Sequence, residues 1–505
     1  MAITGGPSLN SVPSAQQQAL STNFLDFTSG TNDWAQQYLP DLMEKEAEVF
    51  GPRTISGFLS KVGAEEAMQA DQVVWSEQGR LHLSYKGRLT DTTTFIVQQD
   101  IDGAKGVGTG TTGISNGLSG VHHGIRVNDT VIISDANQIR KCIVTVVNET
   151  NDTLTLAPYG AALTATNTAI GTTILVYGSE YGKGQSYNPA SGYAAAGTDS
   201  RGANEPDFKT FTNKPIIMKD YYEVSGSDTA RIGWVEVASE MGQSGYLWYL
   251  KAESDTRARF NDYLEMAMLE AVKADDTDDS VENAVDSLVY GSDNDRLVGT
   301  EGLFAAIEAR GNITSGVTGV NAATDLAEFD AILAEFDKQG AIEEYMMFVN
   351  RATSLAMDDM LASMNSYGAG GTSYGVFEND EDMALNLGFS GFRRGSYDFY
   401  KSDFRYLNDL ATRGGINAAN SADAIRGVMI PAGVSTVYDQ SLGKNLKRPF
   451  LHVRYRASQT DNRKMKTWTT GSVGAATSAL DAMQIHMLTE RCLVTQGANN
   501  FMLMK

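Results

Sequence analysis

Between Pro215 and Pro431 the chain contains no proline. Proline removes a backbone donor and clashes with the preceding turn, so its absence leaves this whole span free to form long helices. Within it, Leu250, Arg257, Phe260, Leu264, Ala267, Met268 and Ala271 recur mainly at steps of three and four. That spacing predicts one apolar stripe on a long helix, which the acidic run from Asp275 to Asp279 ends. Two shorter amphipathic helices are expected over residues 326–336, with Phe329, Ile332, Leu333 and Phe336 inward, and over residues 352–364.

Before Pro215 the period is two. Residues 72–77 and 80–85 read as paired strands around Gly79, with Leu81, Leu83 and Tyr85 on one face. A further strand covers residues 94–99, followed by a Gly/Thr/Ser tract over 103–120. Residues 121–180 then hold four short alternating strands, at 130–134, 141–147, 153–157 and 172–177, which suggest a small barrel or sandwich. Leu154 and Leu156 share a face that Ile132, Ile174 and Val176 could oppose. Gly-rich segments flank this stretch, as expected for a domain inserted into a loop of a larger one. Residues 1–30 are rich in Ser, Gln, Gly and Thr with scattered Leu20, Phe24, Leu25 and Phe27, and read as an arm that orders against a neighbour. Two short helices are expected after it, up to Gly51-Pro52. After residue 367 the pattern is Gly-interrupted and closes in strands over 427–431 and 450–456.

At 505 residues the chain is long enough for two to four domains at ~100–200 residues each. Its longest apolar runs are strand-sized, far from the ~20 residues a membrane helix needs. Its first residues lack the basic-then-apolar order of a secretory signal, so the protein is expected to stay where it is made. Cys142 and Cys492 lie far apart in sequence, and Cys142 sits in an apolar run where a thiol serves as a small core residue. No CxxC or HxxxH cluster offers zinc its ligands, and His122-His123 is an isolated pair in a Gly/Ser-rich stretch. A net charge of −22 and a pI near 4.6 disfavour a nucleic-acid-gripping surface and suit a subunit kept soluble before assembly.

Motifs that could carry chemistry lack the context it requires. Gly113-Ile114-Ser115-Asn116-Gly117 matches a hydrolase nucleophile elbow, but Gly, Thr and Ser surround it where a strand and a helix are needed. Residues 178–184 have the wrong glycine spacing for a phosphate loop and Gly184 where Ser or Thr should hold magnesium. Residues 106–110 lack a strand–turn–helix frame. Asp293, Asp295 and the acidic run miss the alternation of a calcium loop. The basic residues Lys444, Lys447, Arg448, Arg454, Arg456, Arg463, Lys464 and Lys466 could contact DNA, or the acidic surface of a neighbouring subunit, which the acidic chain favours.

Certain phrases resemble a known family. Gly299-Thr300-Glu301-Gly302-Leu303-Phe304, then Phe329-Asp330-Ala331-Ile332-Leu333, then Tyr345-Met346-Met347-Phe348-Val349-Asn350 look like a helix-then-strand pattern ending in Asn. Met487 to Val494, running into Gly497 to Phe501, looks like a closing strand. With the element order above, these resemble the major capsid proteins of tailed bacteriophages with the Hong Kong 97-like fold. Asp33-Trp34-Ala35-Gln36-Gln37-Tyr38-Leu39-Pro40 and Val74-Trp75-Ser76-Glu77, with that ending, are similar to capsid proteins of crAss-like phages of gut bacteria.

The resemblance implies an α+β fold. Residues 1–60 would form the N-terminal arm and short helices, and residues 61–120 with 185–228 the E-loop region. Residues 121–184 would be an inserted β domain that the minimal fold lacks. Residues 229–300 would carry the spine helix and P-domain, 301–440 the A-domain, and 441–505 the returning strands. It implies a structural protein, not an enzyme, without cofactor or membrane, which assembles as hexamers and pentamers into an icosahedral head around DNA. Auxiliary or decoration proteins and a portal are further candidate partners, and the chain would pass from host cytoplasm to virion. Trp75, Arg80, Tyr85, Phe24, Phe27, Arg454 and Arg456 are the expected intersubunit contacts. Because the sequence begins at Met1, no N-terminal processing is expected. An encapsulin-type nanocompartment shares this fold and is the alternative; a β-rich tail or carbohydrate-binding virion protein would account for residues 121–180 alone.

Overall fold

The computed structural model describes residues 64–78, 82–101, 113–114, 123–148, 150–165, 171–183, 208–227, 236–238, 244–273, 299–339, 342–365, 391–420, 422–432, 434–439, 444–473 and 476–505. The expected arm, its short helices, Arg80, Ser115 and the acidic loop over 275–295 lie outside these. The chain divides into two compact units, one of residues 1–75 with 211–505 and one of residues 76–210.

The first described strands are β1 (Ala64–Met68) and β2 (Val73–Gln78). The smaller unit follows, with β3 (Ser84–Leu89), β4 (Thr94–Asp100), β5 (Asp129–Ser134), β6 (Ile139–Asn148), β7 (Thr153–Pro158) and β8 (Thr172–Ser179). They close into a six-stranded antiparallel barrel in the order β3-β4-β7-β6-β5-β8. Closure leaves no sheet edge open, which suits strands this short. Leu89, Phe95, Val97, Val131, Ile133, Cys142, Val144, Leu154, Leu156 and Ile174 fill the interior, and Ile114, Ile125 and Leu163 plug it. Gly87 sits at a bulge in β3 where an added Cβ would lie 1.9 Å from the Ile96 carbonyl oxygen, so only glycine fits.

Three expectations change here. The β unit is larger than residues 121–184, because β3 and β4, expected in the E-loop region, complete the barrel. The expected hairpin of residues 72–77 and 80–85 does not form: β2 pairs with β9 (Phe208–Asn213), while β3 starts at Ser84 and pairs with β4 and β8. Ile132 does not oppose Leu154, since Val131 and Ile133 point inward instead. The run Val131-Ile132-Ile133 is apolar throughout, so no alternation sets its phase.

The larger unit continues with β10 (Ile216–Ser225), a short pair β11 (Glu236–Ala238) and β12 (Ser244–Tyr246), and helix α1 (Leu247–Glu270). At 24 residues and 1.5 Å per residue, α1 is about 36 Å long. Phe260, Leu264 and Met268 are buried as the spacing predicts. Arg257 departs from the stripe and pairs with Glu253 at 3.1 Å on the solvent side. Then come α2 (Leu303–Arg310), β13 (Asn312–Thr314), α3 (Ala322–Gln339), β14 (Glu344–Val349), α4 (Arg351–Asn365), β15 (Gly391–Arg394), β16 (Tyr397–Asp403) and α5 (Arg413–Ala419). The chain ends through β17 (Gly427–Pro431), β18 (Val434–Asp439), β19 (Lys444–Pro449), β20 (Leu451–Arg456), β21 (Lys466–Gly471), β22 (Ala482–Thr495) and β23 (Met502–Met504).

Two sheets organise this unit. The six-stranded one runs β13-β23-β17-β14-β16-β15 and is apolar on both faces. On one face Tyr345, Met347 and Val349 of β14 meet Phe329, Ile332 and Phe336 of α3 and Met357, Met360 and Leu361 of α4. On the other, Phe348, Val428, Ile430 and Leu503 meet Leu264, Met268 and Leu269 of α1 and Leu303, Phe304 and Ile307 of α2. Burial on both sides is why β14 reads as an unbroken apolar run. The five-stranded sheet runs β1-β20-β22-β10, with β21 also paired to β22. A fragment of residues 76–210 should therefore unfold cooperatively with a β-type circular dichroism spectrum. A fragment of 118–184, lacking β3 and β4, should give no cooperative transition.

Candidate assembly surface

β22 is 14 residues long, and its alternation gives the five-stranded sheet two unlike faces. Toward α1 it presents Leu493, which joins Leu451 and Val453 in the core. Arg491 lies on the same face. It is buried, donates to the Lys464 carbonyl at 2.6 Å, and meets Glu65 at 3.3 Å. Burial pulls its guanidinium below the usual arginine range, and Glu65 and Glu265 oppose that pull.

The opposite face carries Gln484, His486, Leu488, Glu490 and Cys492. Glu490, with only 7% of its side chain exposed, receives Arg456 Nε at 2.6 Å and Arg463 Nε at 2.7 Å. Arg456 also binds Asp71, and Arg454 meets Glu66 at 2.8 Å on the neighbouring strand β1. Lys464 pairs with Glu65, and Lys466 with Asp461 at 2.9 Å. The basic cluster does find acidic partners, but within its own chain. Arg454 and Arg456, expected to reach a neighbour, are held at home by carboxylates on β1, β22 and the turn after β1. The side chains of Lys444, Lys447 and Arg448 lie outside the described residues.

Beside this network three rings form a ladder across three strands. Tyr221 of β10 and Trp468 of β21 both stand opposite His486 of β22. Ring centroids are 6.0 Å apart for Tyr221 and His486 and 5.2 Å for Trp468 and His486, with near-parallel planes. Thr470 Oγ1 lies 2.7 Å from His486 Nε2 and fixes the ring. Tyr221 is 51% exposed and Trp468 37%, with Ile217 exposed along the same strand.

Two other expected contact residues turn out to be internal. Trp75, 7% exposed, stands beside Phe211, and the Arg310 guanidinium covers Phe211 at 4.4 Å and Trp75 at 5.7 Å. Arg310 is held there by Glu301 at 2.7 Å. Tyr85 is part of the barrel core and its hydroxyl accepts from the Gly124 N–H at 2.8 Å. Arg80, Phe24 and Phe27 lie outside the described residues. The aromatic ladder was missed in sequence because its members are about 20 to 260 residues apart; only the alternation of Ile217, Lys219 and Tyr221 hinted at an exposed row.

Among the described residues, no group of three or more His, Cys, Asp or Glu could hold a metal ion, and no helix is long and apolar enough to cross a membrane. Both cysteines are free and buried.

The sequence matches no protein-family model and no curated protein. Similar solved structures include one from Microbacterium phage Oxtober96, at 8% identity and a TM-score of 0.37, covering 95% of this chain and 99% of that one. The capsid of Cyanophage P-SCSP1u is similar at 9% identity and a TM-score of 0.33, over 63% of this chain and 80% of that one. The mature capsid of bacteriophage PhiM1 is similar at 9% identity and a TM-score of 0.31, over 62% and 77%. These scores are too low to establish a shared fold.

Glu490→Ala would leave two partly buried guanidiniums facing an empty site. It should destabilise the larger unit by roughly 3 kcal/mol, read as a lower melting temperature, whereas Lys466→Ala should leave that temperature unchanged. Burial pushes the Cys142 thiol up to about 11 and the Cys492 thiol up to about 12. In the folded protein both should resist a thiol reagent at pH 8 and react on denaturation. The unfolded chain loses these protons near the ordinary thiol value of about 8.5, before the folded one does. This contribution to stability is therefore intact below that value and declines as pH rises past it.

Proposed function

We propose that this chain is the major capsid protein of a tailed bacteriophage, a structural subunit that assembles with copies of itself and encloses DNA without reading its sequence. The observation that carries the reading is the five-stranded sheet. One face is packed against α1, while the other exposes Tyr221 and Trp468 of the aromatic ladder with Ile217 beside them. Such a surface is shaped for another protein surface.

The sequence phrases that resemble Hong Kong 97-like capsid proteins fall on elements suited to those roles. Leu303 to Ile307 lie in α2, Phe329 to Leu333 in α3, Tyr345 to Val349 in β14, and Met487 to Val494 in β22. In this reading α1 is the spine helix, the five-stranded sheet belongs to the P-domain, and the six-stranded sheet with α3 and α4 forms the A-domain. The barrel is an insertion into the E-loop region, and the opening and closing phrases are similar to those of crAss-like phage capsid proteins. Icosahedral closure places identical chains in heterologous contacts around five-fold and six-fold positions and isologous ones across two-folds. Interfaces of ~1,600 Å² each, repeated several times per subunit, would hold the shell.

Expression of the chain in bacteria should yield closed particles of uniform diameter under negative-stain electron microscopy, with no hydrolase activity that depends on Ser115. A chain that stays monomeric at all concentrations and salt conditions, alone or with its neighbouring phage proteins, would overturn the capsid reading.

A further inference from the structure

Sheet edges invite pairing, and natural proteins shorten, cover or charge them. Here the barrel has no edge, and the six-stranded sheet ends on β13 and β15, which are 3 and 4 residues long. The five-stranded sheet ends on β1, whose Glu65 and Glu66 charge it, on β21, which is 6 residues long, and on β10, which is 10 residues long. β10 is the long edge among the described strands.

The direction of its free groups can be read from two bonds. The Gly226 N–H donates to the Asp481 carbonyl beside β22 at 3.1 Å, so even-numbered positions face β22. The Tyr221 N–H instead donates to the Asp220 side chain at 2.9 Å, so odd-numbered positions face outward. Ile217, Lys219, Tyr221 and Glu223 thus direct their N–H and C=O groups off the sheet.

We propose that β10 pairs with β10 of a second copy, antiparallel across a two-fold axis at Tyr221, to join two five-stranded sheets edge to edge. The strand is self-complementary in this register. Lys219 of each copy stands opposite Glu223 of the other on the ladder face, so two opposite-charge pairs form by symmetry. On the α1 face Met218 meets Val224 and Asp220 meets Tyr222. Tyr221 meets Tyr221, extending the ring ladder from one sheet into the next. Shifting the axis by one residue to Asp220 places Lys219 against Tyr221 and loses both charge pairs. Glu223 already accepts from Gln484 Nε2, which holds its carboxylate on the face where the incoming lysine lies. Asp220 guards the edge in the free subunit: it occupies the Tyr221 N–H and pairs with Arg259 at 3.4 Å. Pairing displaces the first of these bonds.

The choice of a second copy as occupant rests on the capsid reading, and the test separates the two. Directly opposed residues of an antiparallel pair lie about 5.5 Å apart at Cα, within reach of a short bifunctional thiol reagent. Tyr221→Cys in the full chain should cross-link to itself to a dimer, at least tenfold more than wild type, whose own thiols are buried. Lys219→Cys should not cross-link to itself, but should do so when mixed with Glu223→Cys. Added to Tyr221→Cys, either Lys219→Glu or Glu223→Lys should lower the dimer yield about tenfold, and the two together should restore it. Failure of Tyr221→Cys to exceed wild type in particles that assemble normally sinks the strand pairing and leaves the capsid reading intact. Dimers with this pattern in a chain that never forms shells would uphold the pairing and remove the capsid reading. Cross-linking of Lys219→Cys to itself as strong as that of Tyr221→Cys would overturn the register.

Discussion

The larger unit depends on one strand shared by partners from distant parts of the chain. β22 pairs with β10 along ten positions, with β21 on its opposite side, and with β20 beyond that. It thereby connects residues before the long helix to residues at the end of the chain. Such non-local pairing costs loop entropy before it gains hydrogen bonds. What offsets that cost is the α1 face, where Leu493 with Leu451 and Val453 of β20 closes onto Leu264, Met268 and Leu269. The same helix seals the six-stranded sheet through Phe348, Val428 and Ile430, so one apolar layer serves both sheets. Losing α1 would unpack both at once.

The charge network follows from that strand. Glu490 and Arg491 are adjacent, so the pleat sends them to opposite faces, and each must be satisfied separately. Glu490 is met by two arginines, and Arg491 by Glu65 and backbone oxygen. In a chain with an acidic excess of 22 charges, the basic residues here pair with the buried Glu490 and with the more exposed Glu65, Glu66, Asp71 and Asp461. The cluster that looked like a surface for DNA or a neighbour is largely consumed by the fold. Such a network adds little net stability over apolar packing, because desolvation offsets most of the Coulombic gain, yet removing one partner leaves the other charge uncompensated.

Sequence periodicity carried far in places and stopped at identifiable limits. The helices were legible because Phe260, Leu264 and Met268, or Phe329, Ile332 and Phe336, repeat at helical spacing with polar residues between. The strands of the barrel were legible from alternation, as with Leu154 and Leu156. Which strands close the barrel was not, since pairing of β3 with β8 links residues about 90 apart and leaves no local mark. The supposed hairpin around Gly79 failed for the same reason: adjacency in sequence suggested a partner that topology assigns elsewhere. Trp75 read as an intersubunit contact because the supposed hairpin had too little core of its own; in the fold it is buried beside Phe211 and the Arg310 guanidinium of α2. The aromatic ladder combines residues from three separate strands, so no window of the sequence contains it.

The barrel and the five-stranded sheet handle the same hazard in opposite ways. Strands with exposed backbone groups aggregate unless the edges are closed, shortened or charged. The barrel consumes every edge in its own closure, which suits an insertion that must not disturb the unit carrying it. The five-stranded sheet keeps a long edge and places on it Lys219, Asp220 and Glu223, charges that repel random strands but complement their own image. Each such pair is worth well under the energy of folding, at about 0.2–1 kcal/mol. A weak contact is what repetitive assembly needs, because errors must dissociate before they are locked in. Strength then comes from the number of contacts each subunit makes at once, since the second and later contacts form at high effective concentration. On the proposed pairing, an edge that is guarded in the free chain and self-complementary between copies meets both requirements with the same few side chains.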